Sequence, residues 1–185
     1  MSASVISQDF ISFARNRFRL DWDDIHGARH WSRVRHNGLL LAEHHEVDTT
    51  VIQWFAFIHD LERHNDWEDP GHGKRAAKLA GEINADFMGL SDHQLTLLQT
   101  ACTGHSAGKT EADPTVMVCW DADRLDLGRV GIYPLAKYLC TEAAGEASFI
   151  EAAYERSTER MYRVDEDDTS HDMYATNPGF ERSEY

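Results

Sequence analysis

The sequence predicts one all-α domain, a bundle of roughly six to eight helices. Three observations support this class. Apolar residues recur at helical spacing in several segments, proline and glycine are few (4 and 12 of 185 residues) and no long stretch alternates as a strand would. A chain of this length can bury a substantial core in a single domain. It contains no internal repeat and no interdomain linker.

The first two predicted helices span residues 5–20 and about 30–46. Each places apolar side chains on one stripe, as an amphipathic helix does. In the first they are Val5, Phe10, Phe13 and Phe18, and in the second Val34, Leu40 and Leu41. The polar stretch EVDTT separates the second helix from the third.

The third predicted helix, TTVIQWFAFIHDLERH, is apolar nearly all round, which is typical of a buried helix. Asp48, Thr49 or Thr50 can cap its start. It ends in His59 and Asp60, and burying such side chains without partners is costly. A local hydrogen bond at a capped helix end would be one solution, and a bound ion would be another.

After the loop NDWEDPGHG, the segments GKRAAKLAGEINADFM and SDHQLTLLQTACTGHS predict two more helices, with Ser91 capping the latter. TVMVCW alone is compatible with a strand, but its continuation through DADRLDL favours a helix. YPLAKYLC and EASFIEAAYERSTERMYRV add one or two helices. The acidic end, residues 165–185, predicts a loosely packed tail.

Composition excludes several classes of function. The net charge of −14 argues against binding a nucleic-acid polymer, which needs many cations to neutralise phosphates. No apolar run approaches the roughly 20 residues that span a bilayer, and the N-terminus lacks a signal-peptide layout. The three cysteines are odd in number and show no CxxC spacing. We therefore expect a cytoplasmic protein without disulfides.

Histidines and aspartates interrupt segments that should otherwise be buried. Imidazole nitrogens and carboxylate oxygens bind Mn, Fe, Co, Ni and Zn, and several helices can direct such ligands into one interior site. From the residues alone, either Asp121 or Asp123 fits the last position. The full set is His26, His30, His59, Asp60, His72, His105, Asp121 and Asp123.

Three of these segments resemble the HD superfamily of metal-dependent phosphohydrolases, whose pattern is H…HD…D on a helical core. The matches are His30 in HWSRV, His59 and Asp60 in FIHDLER, and Asp123 in DADRLD. The resemblance covers about residues 20–140. It implies an HD-domain core at 21–140, an N-terminal helix at 1–20 packed on it, a C-terminal helix at 141–164 and the tail.

The resemblance also implies a ligand set of His30, His59, Asp60 and Asp123 for one divalent cation. His72 and His105 occupy the order in which some members hold a second metal, so they bind that metal or transfer a proton. We expect one or two ions per chain. Arg63 and Lys74 are candidates for contacting a substrate phosphate, and the candidates for orienting the ligands are His26, Asp121 and Arg124.

The function that follows is hydrolysis of a phosphomonoester or phosphodiester in a small metabolite, such as a nucleotide. Two alternatives stay open. A di-iron oxygenase of the same fold would use a similar His and Asp set, and a non-catalytic ligand-binding domain would keep its metal as a structural element. A homodimer is compatible with the sequence, although no segment indicates an interface.

Overall fold

A computed structural model describes residues 5–163, with side chains through residue 158. Within that range the backbone forms eight α-helices and no strand, so the predicted all-α class is confirmed. The helices are α1 (Gln8–Arg17), α2 (Ala28–Leu41), α3 (Thr49–Ile58), α4 (His72–Ile83), α5 (Asp92–Gly104), α6 (Pro114–Arg124), α7 (Glu142–Gly145) and α8 (Ala147–Arg163).

Helix α3 forms the centre of the bundle. Its residues from Val51 to Ile58 are all buried, as the apolar sequence predicted, and the helix packs against α2, α4, α5 and α6. The Asp48 side chain accepts hydrogen bonds from the backbone N–H groups of Thr50 and Val51, which identifies the N-cap among the three candidates. This fixed start determines where the polar end of α3 lies.

Helix α1 covers one side of the core through aromatic contacts. Phe10 is completely buried, and its ring meets Trp54 edge to face with 4.9 Å between centroids. Such edge-to-face pairs stabilise beyond the area they bury. Trp31, Trp54 and Trp120 all lie in the core.

Two further local predictions are confirmed. The segment containing TVMVCW is helical: α6 begins with Pro114 at its first turn, and Asp113 caps it. Ser91 caps α5 in a reciprocal arrangement with Gln94.

The boundaries differ in places. YPLAKYLC forms only a short 3-10 turn, Ala136–Tyr138, because Pro134 precedes it and Leu135 is extended. The α4 segment ends earlier than predicted and closes through one π-helical turn, Asn84–Met88. The region predicted as one C-terminal helix holds two, α7 and α8, and the predicted tail at 165–185 lies outside the described residues. No helix in the described range is long and apolar enough to cross a membrane.

Candidate metal centre

The ends of five helices bring six polar side chains to one buried place. His30 lies in the first turn of α2, and Asp123 in the last turn of α6. The other four stand at the end of α3, the start of α4 and the end of α5: His59, Asp60, His72 and His105. These are the six ligands that the sequence suggested for one or two metals.

Four of these side chains form a first group. Nε2 of His30 lies 3.0 Å from Nε2 of His59, 3.4 Å from Oδ1 of Asp123 and 3.9 Å from Oδ2 of Asp60. Nε2 of His59 lies 3.7 Å from Oδ1 of Asp123 and 3.8 Å from Oδ2 of Asp60. An ion placed among these atoms would lie close to His30, His59 and Asp60, and Asp123 approaches the same two histidines. Asp123, and not Asp121, is thus the aspartate of α6 that faces this group.

A second group shares Asp60 with the first. Nε2 atoms of His72 and His105 are 2.7 Å apart, and they lie 3.3 Å and 3.6 Å from Oδ1 of Asp60. Oδ2 of the same carboxylate faces the first group. Asp60 thus presents one oxygen to each group, which is the arrangement of a carboxylate that bridges two ions.

A glycine makes the second group possible. At Gly73, beside His72, a Cβ atom would lie 2.2 Å from the carbonyl oxygen of Cys102 on α5. Only glycine allows the two helices to approach this closely. That approach brings His72 within contact of His105.

Each histidine has its Nδ1 proton fixed by an acceptor. Nδ1 of His59 donates to the carbonyls of Phe55 and Ala56, and that of His105 to Cys102. His72 donates to the carbonyl of Asp69, and His30 to the carboxylate of Asp126 at 2.7 Å. Because these oxygens accept only, the proton of a neutral imidazole lies on Nδ1, and its Nε2 then presents a lone pair to the cluster.

The convergence of lone pairs shows that the residues fit a cation. Two pairs of Nε2 atoms face each other at 3.0 Å and 2.7 Å, and a cation bound among them would be coordinated by their lone pairs. Oδ1 of Asp60 is buried and accepts no hydrogen bond in the described part of the chain, although Nε of Arg63 lies 3.0 Å from it as an ion pair. Buried polar atoms without partners are costly, and metal coordination would satisfy them.

The pKa values of His59, Asp60 and Asp123 suit metal ligands, whereas the neighbouring carboxylate of Asp60 raises the pKa of His105 despite its burial. Burial lowers the pKa of His59 to about 3, so the ring is neutral. Burial opposes ionisation of Asp60 and Asp123, but the neighbouring histidines and arginines offset it. They hold the pKa of Asp123 at about 2 and that of Asp60 well below its usual range. Neutral imidazole and ionised carboxylate are the forms that bind metals.

The sequence reasoning missed one supporting residue, Asp126. Its buried carboxylate accepts from His30 and also from Nε and Nη2 of Arg33, at 2.5 Å and 3.0 Å. It thereby fixes the His30 ring, as carboxylates beside metal-binding histidines do. A signal was available, because Asp126 lies between Leu125 and Leu127 in a segment otherwise expected to be buried.

Two residues expected to orient the ligands lie elsewhere. Asp121 accepts hydrogen bonds from the backbone of Cys140 and Thr141 and from the Thr141 hydroxyl, so it anchors the chain before α7. Arg124 donates to the carbonyls of Tyr138 and Lys109. Both connect α6 to loops, because the helix phase that directs Asp123 to the cluster turns its neighbours away.

The remaining predicted residues are His26, Arg63 and Lys74, and they differ in their distance from the cluster. His26 is buried and bonds Asp66 at 3.0 Å. Nε of Arg63 lies 3.0 Å from Oδ1 of Asp60. Lys74 is exposed and does not reach the cluster, since two residues of helix rotate it about 200° from His72. A second arginine, Arg129, lies near the cluster instead, with Nη2 3.8 Å from Oδ1 of Asp123.

Comparison with known proteins gives one relative of known structure. No family model matches the chain, and no curated protein does. The crystal structure of a predicted HD superfamily hydrolase from an uncultured Thermotogales bacterium is similar, with a TM-score of 0.63 and 25% identity. The match covers 85% of this chain and 90% of the other. The helical fold, the H…HD…D order of the clustered residues and this similarity lead to one conclusion: the chain has the fold of an HD domain.

Proposed function

We propose that this protein is a metal-dependent phosphohydrolase that acts on a small phosphorylated metabolite. The observation that carries the proposal is the shared carboxylate of Asp60, with one oxygen facing each group of histidines. Two adjacent ions are the usual arrangement for displacement at phosphorus. The relative from the Thermotogales bacterium is named a predicted hydrolase, which agrees with the proposal.

The ligands would divide between two ions. His30, His59 and Asp123 would hold the first, His72 and His105 the second, and Asp60 both. When bound, the ions would supply hydroxide at neutral pH and polarise a phosphoryl oxygen. Asp126 and the backbone acceptors would leave Nε2 of each neutral imidazole free for coordination, because they accept the proton on Nδ1.

Two residues, Arg63 and Lys74, are candidates for contacting phosphate. The position of Arg63 supports this role. Its Nε atom lies beside Asp60, while Nη1 donates to the carbonyls of Asn65 and Trp67. A guanidinium already held in place loses little freedom when it binds an oxyanion. Lys74 is exposed and makes no such contact among the described residues.

We further propose that the substrate is a nucleotide. Trp67 exposes 86% of its surface, although its backbone is held by Arg63 and by Asn65. An ordered, exposed indole next to a phosphate-binding arginine is suited to stack on a nucleobase. The arginine and the indole would then bind the two ends of one small molecule.

A cytoplasmic location is part of the proposal. Cys102, Cys119 and Cys140 form no disulfide with one another, and burial raises the pKa of each thiol. Unpaired cysteines are typical of proteins in a reducing compartment.

The first experiment is elemental analysis of untagged wild-type protein and Asp60→Ala, followed by a panel of phosphomonoesters and phosphodiesters. We expect one or two equivalents of transition metal in the wild type, lost in the variant, and hydrolysis with added Mn or Co. Iron with an oxygen-dependent absorption change would favour the di-iron oxygenase instead. Absence of metal after reconstitution with Mn, Fe, Co, Ni and Zn would contradict the hydrolase proposal.

A further inference from the structure

The metal centre opens to solvent at one ligand. The Asp123 side chain is 15% exposed, whereas those of His30, His59, Asp60, His72 and His105 are between 0% and 4% exposed. A substrate must therefore approach past Asp123. The residues beside this carboxylate are the first that an incoming anion would meet.

Arg129 stands at that opening and is held there by the backbone. Nε donates to the carbonyl of Ile25 at 2.9 Å, and Nη1 donates to the carbonyl of Asp126 at 3.0 Å. Nη2 lies 3.8 Å from Oδ1 of Asp123, beyond hydrogen-bond distance, and has no hydrogen-bond acceptor among the described residues. The guanidinium thus has one nitrogen available next to the cluster.

Arg63 occupies a matching position beside Asp60. Its Nη1 is bound to loop carbonyls, its Nε forms an ion pair with Oδ1 of Asp60 at 3.0 Å, and Nη2 has no acceptor among the described residues. Each arginine thus combines anchored nitrogens with an Nη2 group that has no hydrogen-bond acceptor in the described part of the chain. An arginine with only a structural role would be expected to donate these N–H groups to acceptors within the protein.

One chain segment connects the two arginines. Arg129 holds the carbonyl of Ile25, and the next residue, His26, bonds Asp66 in the loop that Arg63 holds. Both guanidinium groups also influence His26 electrostatically, so both lie near it. These contacts place Arg63 and Arg129 on a single rim of the metal centre.

We propose that Arg129 and Arg63 form an oxyanion-binding pair on this rim, which holds the phosphoryl oxygens of the substrate. The inference rests on the proposed function and adds Arg129 in place of Lys74. Arg129 would bind the anion as it enters past Asp123, and Arg63 would bind it on the side of Asp60. Guanidinium groups recognise phosphate by such paired N–H donation.

The test compares the Mn-loaded wild-type protein with Arg129→Gln and Arg129→Lys. Inorganic phosphate is titrated calorimetrically, and the metal content and melting temperature of each sample are measured. We expect phosphate to bind roughly 10- to 100-fold more weakly to Arg129→Gln, the effect of losing a charged hydrogen bond. Arg129→Lys should recover part of the affinity, because it keeps the charge without the planar fork.

Arg124→Gln is the matched control, since Arg124 also binds backbone carbonyls but does not contact the cluster. It should bind phosphate as the wild type does. Equal phosphate affinity in Arg129→Gln and wild type would overturn the inference. So would an absence of phosphate binding in the wild type, or a loss in the variant that merely follows loss of metal.

The outcomes separate this inference from the proposed function. If the wild type binds phosphate through Arg129 but hydrolyses no phosphoester, the proposed function fails while the anion site stands. If it hydrolyses phosphoesters and Arg129→Gln changes neither phosphate affinity nor KM, only the inference about Arg129 fails.

Discussion

Nδ1 of His30 donates a hydrogen bond to Oδ2 of Asp126 at 2.7 Å, although 96 residues separate them in the chain. The bond joins α2 to the turn that follows α6. It also keeps the proton on Nδ1, so Nε2 faces His59 and Asp123 as a lone pair. A residue outside the candidate ligand set therefore determines how a candidate ligand is presented.

Asp126→Ala should weaken metal binding by roughly 10- to 100-fold, the usual cost of removing a carboxylate behind a metal-binding histidine. Competition with a coloured chelator would measure the change. Asp121→Ala is the control, because Asp121 is equally buried but anchors residues 140 and 141. That variant should lose stability and keep its metal affinity. Unchanged affinity in Asp126→Ala would argue against the role given to His30.

The number of metal ions bound per chain should differ between variants of Asp60 and variants of Asp123. Asp60→Ala should reduce the content of both ions, since each group uses one of its oxygens. Asp123→Ala should reduce only the first, because Asp123 contacts His30 and His59. Elemental analysis of both variants after identical reconstitution would measure this. Equal losses in the two variants would contradict a bridging carboxylate.

Chelation should lower the melting temperature of the wild-type protein. Ions that bind only the folded state stabilise it by roughly 2.7 kcal/mol at a hundredfold excess over Kd. For a chain of this size, that corresponds to a shift on the order of 5–10 °C. Differential scanning calorimetry with and without EDTA would measure it. Asp60→Ala should show almost no shift, and a shift as large as in the wild type would place the stabilising ion elsewhere.

Gly73→Ala should destabilise the fold and disrupt the second group of ligands. Its Cβ would lie 2.2 Å from a backbone carbonyl of α5, so the helices must separate. Overpacking of this kind costs roughly 1–3 kcal/mol. Gly81→Ala on the same helix is the control, because its Cβ would meet only the amide end of the Gln99 side chain at 3.1 Å. Urea unfolding together with metal content would compare them; equal stability of the two variants would contradict the close approach.

Trp67→Ala should raise the KM for nucleotides and leave the free energy of unfolding unchanged, since the indole is largely exposed. Loss of one stacking contact typically costs roughly 1–3 kcal/mol, which is about 5- to 150-fold in affinity. Steady-state kinetics with a nucleoside monophosphate and with ribose 5-phosphate would separate stacking from phosphate binding. The sugar phosphate should show no change. An equal rise in KM for both substrates would contradict a contact between Trp67 and the nucleobase.

The helical class could be predicted from the sequence because it depends on local pattern, as do the buried α3 with its polar end and the cap at Ser91. The six ligand candidates were implied by the resemblance to the HD superfamily, since the residues alone gave a larger set. The structure brings all six together.

Other features depend on tertiary pairing. The contacts of Asp126 and Arg129 form only in the folded chain, where α2 and α6 lie side by side. Asp126 then bonds His30, and Arg129 bonds the carbonyl of Ile25. Lys74 illustrates the converse, since nearness to His72 in the sequence could not show that helix rotation separates the two side chains. Asp121 lies two residues from Asp123, and the same rotation directs it to a different partner.

The single carboxylate shared by the two groups has a thermodynamic consequence. An ion in one group would orient Asp60 for the other, and two adjacent cations would repel each other. The two affinities would then be linked, and each ion would change the affinity for the other by the same factor. A titration of this protein with metal would report the properties of the pair, and neither ion would have a dissociation constant that belongs to it alone.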